Sequence, residues 1–256
     1  MRKKLTLVGA GPGDPELISL KGIRALAAAD VILDDALVNP VLLEYASPAA
    51  PQVFVGKRAA NHRYSQEEIN QLIVGYALSY GHVVRLKGGD PFIFGRGHEE
   101  LEYARLFDID TEVIPGISSG TSLPALQGVP LTRRGLNESF WILTATTRSG
   151  AISADLPIAA QSSATVVILM GMQKLAEITA QFAAQGKAQT PAMIIQNGSL
   201  PDEKVVLGTV DTLADEARKA GIGSPAIIVI GEVVRLHPDY VREYALYEYA
   251  QQRLAS

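Results

Sequence analysis

Cysteine is absent from all 256 residues, which excludes disulfides, thiolate nucleophiles and cysteine metal sites together. The four histidines, His62, His82, His98 and His237, are too scattered for a zinc motif, so no metal is expected. No run of eighteen or so apolar residues occurs, and the start MRKKLTLVGAGPGD passes from charge straight into a strand pattern without a signal-peptide core. A soluble, cytoplasmic protein is expected. Surplus positive charge is missing too: the formal balance is -4, which argues against nucleic acid or an anionic membrane as principal partner.

The chain does have enough apolar residues, 47%, for a real core in one large or two smaller domains. Its most informative stretch is VVRLKGGDPFIFGRGHEE, residues 83 to 100. A β-branched run reads as a buried strand, breaks at Gly88-Gly89-Asp90-Pro91, and resumes as a helix from about Gly97. A strand thus delivers a glycine turn at its carboxyl end, where open α/β sheets bind ligands. Adjacent glycines let a ligand approach the backbone.

Taken in order, LTLV at 5 to 8 reads as a first strand ending in GAGPGDP. A dinucleotide fingerprint would need glycine where Asp14 stands, and Pro12 removes a backbone donor, so a ligand without phosphate suits this loop better. A helix follows from Leu20 to Ala29, then a strand from Asp30 to Leu33 ending in Asp34-Asp35, with Asp34 expected to cap a helix from about Pro40. QVFV at 52 to 55 reads as a third strand before the basic loop Gly56-Lys57-Arg58. Ser65 and Glu68 form a capping box for the next helix. A strand at 111 to 114 leads to Gly116-Ile117-Ser118-Ser119-Gly120, a short match to a nucleophile elbow, which lacks the glycine-rich oxyanion loop of α/β-hydrolases.

The second half is expected to hold strands at about 140 to 145, 164 to 170, 191 to 196 and 225 to 231. Its helices fall at about 173 to 185 and 209 to 220. A last helix at 239 to 253 carries Tyr240, Tyr244 and Tyr247 on one face. Polar composition at 132 to 139 suggests domains at 1–135 and 136–237, then the terminal helix at 238–256. Basic residues gather in three groups: Lys57, Arg58, His62 and Arg63; Arg85, Lys87 and Arg96; and Arg133 with Arg134. In an acidic protein such groups near loops could hold a small polyanion.

Read together, VGAGPGDPELISLKG, VFVGKR, QEEIN, VVRLKGGDPFIFGRG and EVIPGISS resemble the uroporphyrinogen-III C-methyltransferase family of S-adenosylmethionine-dependent tetrapyrrole methyltransferases. The ordered set carries the resemblance, not any one motif. It implies a homodimer of two α/β domains with S-adenosylmethionine in the interdomain cleft, S-adenosylhomocysteine as product, and no metal. The implied reaction methylates two pyrrole carbons of uroporphyrinogen III to precorrin-2, on the route to sirohaem and cobalamin. Residue by residue, the resemblance places Pro12, Gly88, Gly89, Asp90, Ile93, Ser118, Ser119, Met170 and Gly198 around the cofactor. It makes Asp35 a proton acceptor and Lys57 a proton donor.

Substrate-side positions depart from the family pattern: Ala36 replaces the arginine of Y-D-R-L-V, Arg133 the histidine of T-H-R, and Thr144-Ala145-Thr146 stands for T-G-H. His98 stands at the fourth position of GRGGEE. These changes keep two alternatives in view: a methyltransferase acting on a later precorrin, and a tetrapyrrole-binding paralogue without turnover.

Overall fold

Alternating side-chain direction along β1 (Lys4–Gly9) sends Leu5 and Leu7 to one face and Val8 to the other, and all three are fully buried. A strand buried on both faces belongs inside a parallel sheet covered by helices. In the computed structural model, which describes residues 3–56, 64–147 and 149–241, β1 lies in such a sheet with β2 (Val31–Asp34), β3 (Gln52–Phe54), β4 (His82–Lys87) and β5 (Asp110–Ile114). The order is β3-β2-β4-β1-β5, every pair parallel.

One face packs Leu5, Leu7, Leu33 and Val83 against Ile69 and Ile73 of α2 (Gln66–Tyr80) and Leu101 of α3 (Gly97–Arg105). The other packs Val8, Ile32, Val84 and Leu86 against Leu26 of α1 (Leu20–Ala27) and Leu42. The chain leaves β1 over the second face and β4 over the first. The carboxyl ends of these neighbours therefore open a crevice between diverging loops.

Of two local signals, one agrees with its element and one does not. Ser65 accepts from Glu68 N while Glu68 reaches back to the Ser65 N–H, closing the expected capping box. The helix expected from Pro40 is a 3-10 helix, Pro40–Tyr45, and its cap is Asn39 rather than Asp34: the Asn39 side chain accepts from Val41 N.

The chain divides into Met1–Ser119 and Gly120–Ser256, earlier than the boundary expected at 135. α4 (Ser119–Leu126) and the polar stretch after it pack with the later strands. Leu123 and Val129 share a core with Val167 and Met193, and Asn137 Nδ2 donates to Thr165 Oγ1 at 3.0 Å.

The second sheet is mixed, in the order β6-β7-β10-β8-β9. β6 (Phe140–Thr144) and β7 (Thr165–Leu169) are parallel, and β10 (Ala226–Ile230) runs antiparallel between β7 and β8 (Pro191–Gln196). β9 (Lys204–Thr209) pairs antiparallel with β8 at the sheet edge. This edge strand and α5 (Leu156–Gln161) are elements the sequence reading did not place. α6 (Leu175–Ala184) and α7 (Leu213–Lys219) fall within the expected helices, α7 starting later because Lys204–Thr209 is strand. The last expected helix starts within the described residues, where 238–241 are helical and the Tyr240 hydroxyl donates to Gly208 O at 2.6 Å; the rest of it, with Tyr244 and Tyr247, lies outside them.

One surface cluster sets an acid limit on the first unit. Lys21 and Lys4 both reach Glu112, at 2.5 and 2.6 Å, and these hydrogen bonds hold its carboxyl down at about 2, below an ordinary 4.5. A depressed acid contributes stability that is present above its unfolded value and lost as pH falls through its folded one. Thermal stability should therefore decline between about pH 5 and pH 2. Glu112→Gln should flatten part of that decline in a melting series, and added salt should shrink the difference because the pair is partly exposed. An unchanged pH slope in Glu112→Gln would remove this cluster from the account.

Candidate functional site

Three loops leave the carboxyl ends of β1, β4 and β5 and meet through glycine backbone. Gly89 N donates to Gly11 O at 2.7 Å and Gly11 N returns to Gly89 O at 3.3 Å, joining the first two loops. The third closes against both: a Cβ on Gly116 would overlap the Gly89 carbonyl and stand 2.6 Å from Gly9 Cα. A Cβ on Gly9 would lie 2.7 Å from the Gly89 carbonyl. Side chains at Gly9 or Gly116 are thus excluded by backbone, which cannot give way as a flexible side chain can.

Asp90 ties the same loops. Its Oδ2 accepts from Gly116 N at 3.0 Å and its Oδ1 from Phe92 N at 2.8 Å. The carboxylate therefore fixes the junction of the β4 and β5 loops.

The paired glycines have different tasks. A Cβ on Gly88 would stand 2.5 Å from Leu37 Cβ, so Gly88 is small to let the β2 loop pack on it. Gly89 has φ 67, in the left-handed region glycine favours, and a Cβ there would meet no atom within 4 Å. Gly89 is where a ligand could reach the backbone. Around it the loops expose apolar side chains, Leu37, Phe92, Ile93, Phe94 and Ile117, which suit the flat apolar body of a bound molecule. Pro12 and Ser119 are half-buried, and Ser118 is buried.

Asp35 stands at the end of β2 next to this junction. Its Oδ1 accepts from Leu37 N at 3.1 Å and at longer range, 3.4 Å, from Gly88 N. Its Oδ2 lies 3.6 Å from Arg85 Nη2, and the side chain is 23% exposed, open enough to exchange a proton with a ligand. Lys57, Arg58, His62 and Arg63 lie outside the described residues.

Arg85 and Lys87 correct an expectation. The sequence puts them among the cations flanking the loop, yet they are 3% and 5% exposed. Both turn toward α3, where the Glu100 Oε1 accepts from Lys87 Nζ at 3.0 Å and Arg85 Nε at 3.4 Å. Burial, and then the neighbouring Arg85 charge, pull the Lys87 ammonium below its ordinary range. Glu100 was missed altogether. Two regularities carried the signal: Arg85 and Lys87 share the direction of buried Val83, and Glu100 follows Gly97 and precedes Leu101 and Ala104 on the buried stripe of α3.

Arg96, by contrast, is exposed, has φ 57, and is paired with Glu99 through two bonds of 2.7 and 2.6 Å. Arg133 and Arg134 are also exposed.

In the second unit, Met170 follows β7 in the left-handed region with φ 54 and is 55% exposed. Such backbone is costly for a residue with a Cβ and gathers at functional sites. Asn197 and Ser199, after β8 on the same sheet edge, are left-handed too, with φ 50 and 65. Gly198 between them is buried, and a Cβ there would stand 2.6 Å from Leu123 Cδ2. Its smallness serves packing against α4.

The elbow reading gains nothing from the geometry. Ser118 is 6% exposed and is not among the left-handed residues, whereas a nucleophile elbow holds its serine strained and outward. His237 is buried, its Nδ1 accepts from Asp239 N at 3.2 Å, and burial lowers its pKa.

Residues 4–214 match the family model described as Tetrapyrrole (Corrin/Porphyrin) Methylases. A siroheme synthase of Actinobacillus pleuropneumoniae serotype 7 (strain AP76) is 45% identical over 237 residues, covering 92% of this chain and 48% of that protein. The chain thus spans about half the length of the siroheme synthases it matches. A uroporphyrinogen-III C-methyltransferase of Methanocaldococcus jannaschii is 40% identical over 238 residues, 92% of this chain and 98% of that one. Among solved structures, a uroporphyrin-III C-methyl transferase from Thermus thermophilus complexed with S-adenyl homocysteine is 38% identical with a TM-score of 0.78, covering 91% of this chain and 99% of that chain.

Proposed function

Because the chain belongs to the tetrapyrrole (corrin/porphyrin) methylase family, we propose that it transfers methyl groups from S-adenosylmethionine to two pyrrole carbons of uroporphyrinogen III, giving precorrin-2. The observation that carries this reading is the juxtaposition at one sheet edge of the open, left-handed Gly89 backbone, an apolar rim and the Asp35 carboxylate. Relatives named for this reaction support the choice of substrate.

The cofactor supplies an electrophilic methyl group on a sulfonium, which an electron-rich pyrrole carbon can attack without metal or covalent enzyme intermediate. What the chain supplies is alignment, worth up to about 7–11 kcal/mol in ideal cases. Gly89 admits the cofactor to the backbone, and Asp90 keeps the loops in place by holding Gly116 and Phe92. Pro12, Gly88, Ile93, Ser118 and Ser119 complete this set on the first unit. For Met170 and Gly198 a cofactor contact is proposed from the family resemblance, and the left-handed backbone of Met170 supports it. Asp35 accepts the proton that the methylated ring must lose, and Lys57 acts as donor. Exposed Arg133 and Arg134 are of the right charge for the substrate's carboxylates.

The protein acts, on this reading, as a cytoplasmic homodimer serving sirohaem or cobalamin formation. Among the described residues no helix is long and apolar enough to cross a membrane.

Titration with S-adenosylhomocysteine, followed by transfer of labelled methyl to uroporphyrinogen III, tests the proposal. Saturable binding and label in the tetrapyrrole are expected. Binding without transfer would leave only a tetrapyrrole-binding paralogue or a methyltransferase for a later precorrin, and absence of binding would remove the cofactor assignment.

A further inference from the structure

The Arg85 guanidinium bridges two carboxylates on different elements. Its Nη2 faces Asp35 Oδ2 at 3.6 Å, and its Nε donates to Glu100 Oε1 at 3.4 Å. Its Nη1 donates to the carbonyls of Leu33 and Leu86, at 3.3 and 3.0 Å, which fixes the plane between them. Glu100 Oε1 also accepts from Lys87 Nζ at 3.0 Å and from Gln66 Nε2 of α2 at 3.2 Å. Arg85 and Lys87 balance Asp35 and Glu100, so the cluster is neutral as a whole. Glu100 is 1% exposed, and its Oε2 has no hydrogen-bond partner among the described residues.

An ionised carboxylate placed out of water costs several kcal/mol unless its partners compensate it. Apolar packing would fill the same space with no such cost, so stability alone gives a weak reason for an anion here. A geometric reason is at hand. Arg85 and Lys87 leave the same face of β4 and repel one another, and Glu100 is the anion they share. Of the two carboxylates that face Arg85 in ion pairs among the described residues, Asp35 is the one that would remain without Glu100, and the guanidinium would be drawn onto the group that must meet the substrate's proton.

We propose that Glu100 is a positioning residue that acts through Arg85, holding the guanidinium back on α3 so that the Asp35 carboxylate keeps the orientation proton transfer requires. This rests on the reading of Asp35 as proton acceptor. Glu100 touches neither cofactor nor substrate in this role. Its influence reaches the reaction only by way of Asp35.

A double-substitution cycle in the full chain separates the possibilities. Glu100→Gln should lower kcat on the order of ten- to hundredfold, the scale of a small misplacement of a catalytic group, while S-adenosylhomocysteine affinity stays within about twofold. In an Asp35→Asn background the same substitution should change kcat no further. Equal fold losses in both backgrounds, or a loss that tracks cofactor affinity, would overturn the proposal and leave Glu100 a packing residue. Retention of full turnover by Asp35→Asn alone would instead overturn the proton-acceptor reading. If Glu100→Gln does not fold, Glu100→Gln with Lys87→Met removes one charge of each sign and keeps the cluster neutral. It should fold, with the same dependence on Asp35, and loss independent of Asp35 would again contradict the proposal.

Discussion

Alanine at Gly116 is expected to cost the protein most of its cofactor affinity and a measurable part of its stability. The added Cβ would run into the Gly89 carbonyl and Gly9 Cα, both backbone, so one loop must move. Overpacking of this kind costs roughly 1–3 kcal/mol even where side chains can adjust. The movement would open the junction that Asp90 secures through Gly116 N, where Gly116 packs on the Gly89 carbonyl. Gly75→Ala is the matching control: Gly75 is exposed within α2 and a Cβ there would meet nothing within 4 Å. It should stabilise the protein by about 0.5–1 kcal/mol and leave S-adenosylhomocysteine binding alone. Melting curves and titrations of the two variants check both statements. Wild-type affinity in Gly116→Ala would mean that the glycine junction is scaffold and not part of the cofactor site.

Asp35→Asn is expected to depress turnover by about 10²–10⁴-fold, the usual contribution of general acid–base catalysis, with cofactor affinity nearly unchanged. The amide keeps an oxygen for Leu37 N and Gly88 N, so the loop retains its hydrogen bonds while the group loses its capacity to take a proton. Steady-state kinetics beside a binding titration separate the two effects. A parallel fall in affinity and turnover would make Asp35 a loop-holding residue only.

Much of this arrangement was legible in the chain because its physics is local. β-branched runs buried on both faces gave β1, β4 and β7, and the glycine turns after β1 and β4 marked the sheet end proposed here for the cofactor. Ser65 and Glu68 announced their own helix start. What escaped the sequence depends on partners distant along the chain. Gly88 and Gly89 look alike until Leu37 is found against one and open space beside the other. Arg85 and Lys87 look like ligand-facing cations until α3 brings Glu100 over them. β9 stayed hidden because an edge strand of six residues has little of the apolar continuity of a central one. The boundary was misplaced because polarity at 132 to 139 marks a surface loop, whereas Leu123 and Val129 had already joined the second core.

The central claim is that this fold methylates uroporphyrinogen III twice, and the mass of the product tests it most directly. Incubation of the full chain with uroporphyrinogen III and excess S-adenosylmethionine should yield a tetrapyrrole that has gained two methyl groups and lost two protons, a net two CH2 units, with the absorbance of precorrin-2, and two equivalents of S-adenosylhomocysteine. Recovery of unmethylated uroporphyrinogen III under conditions where S-adenosylhomocysteine binds would contradict the account.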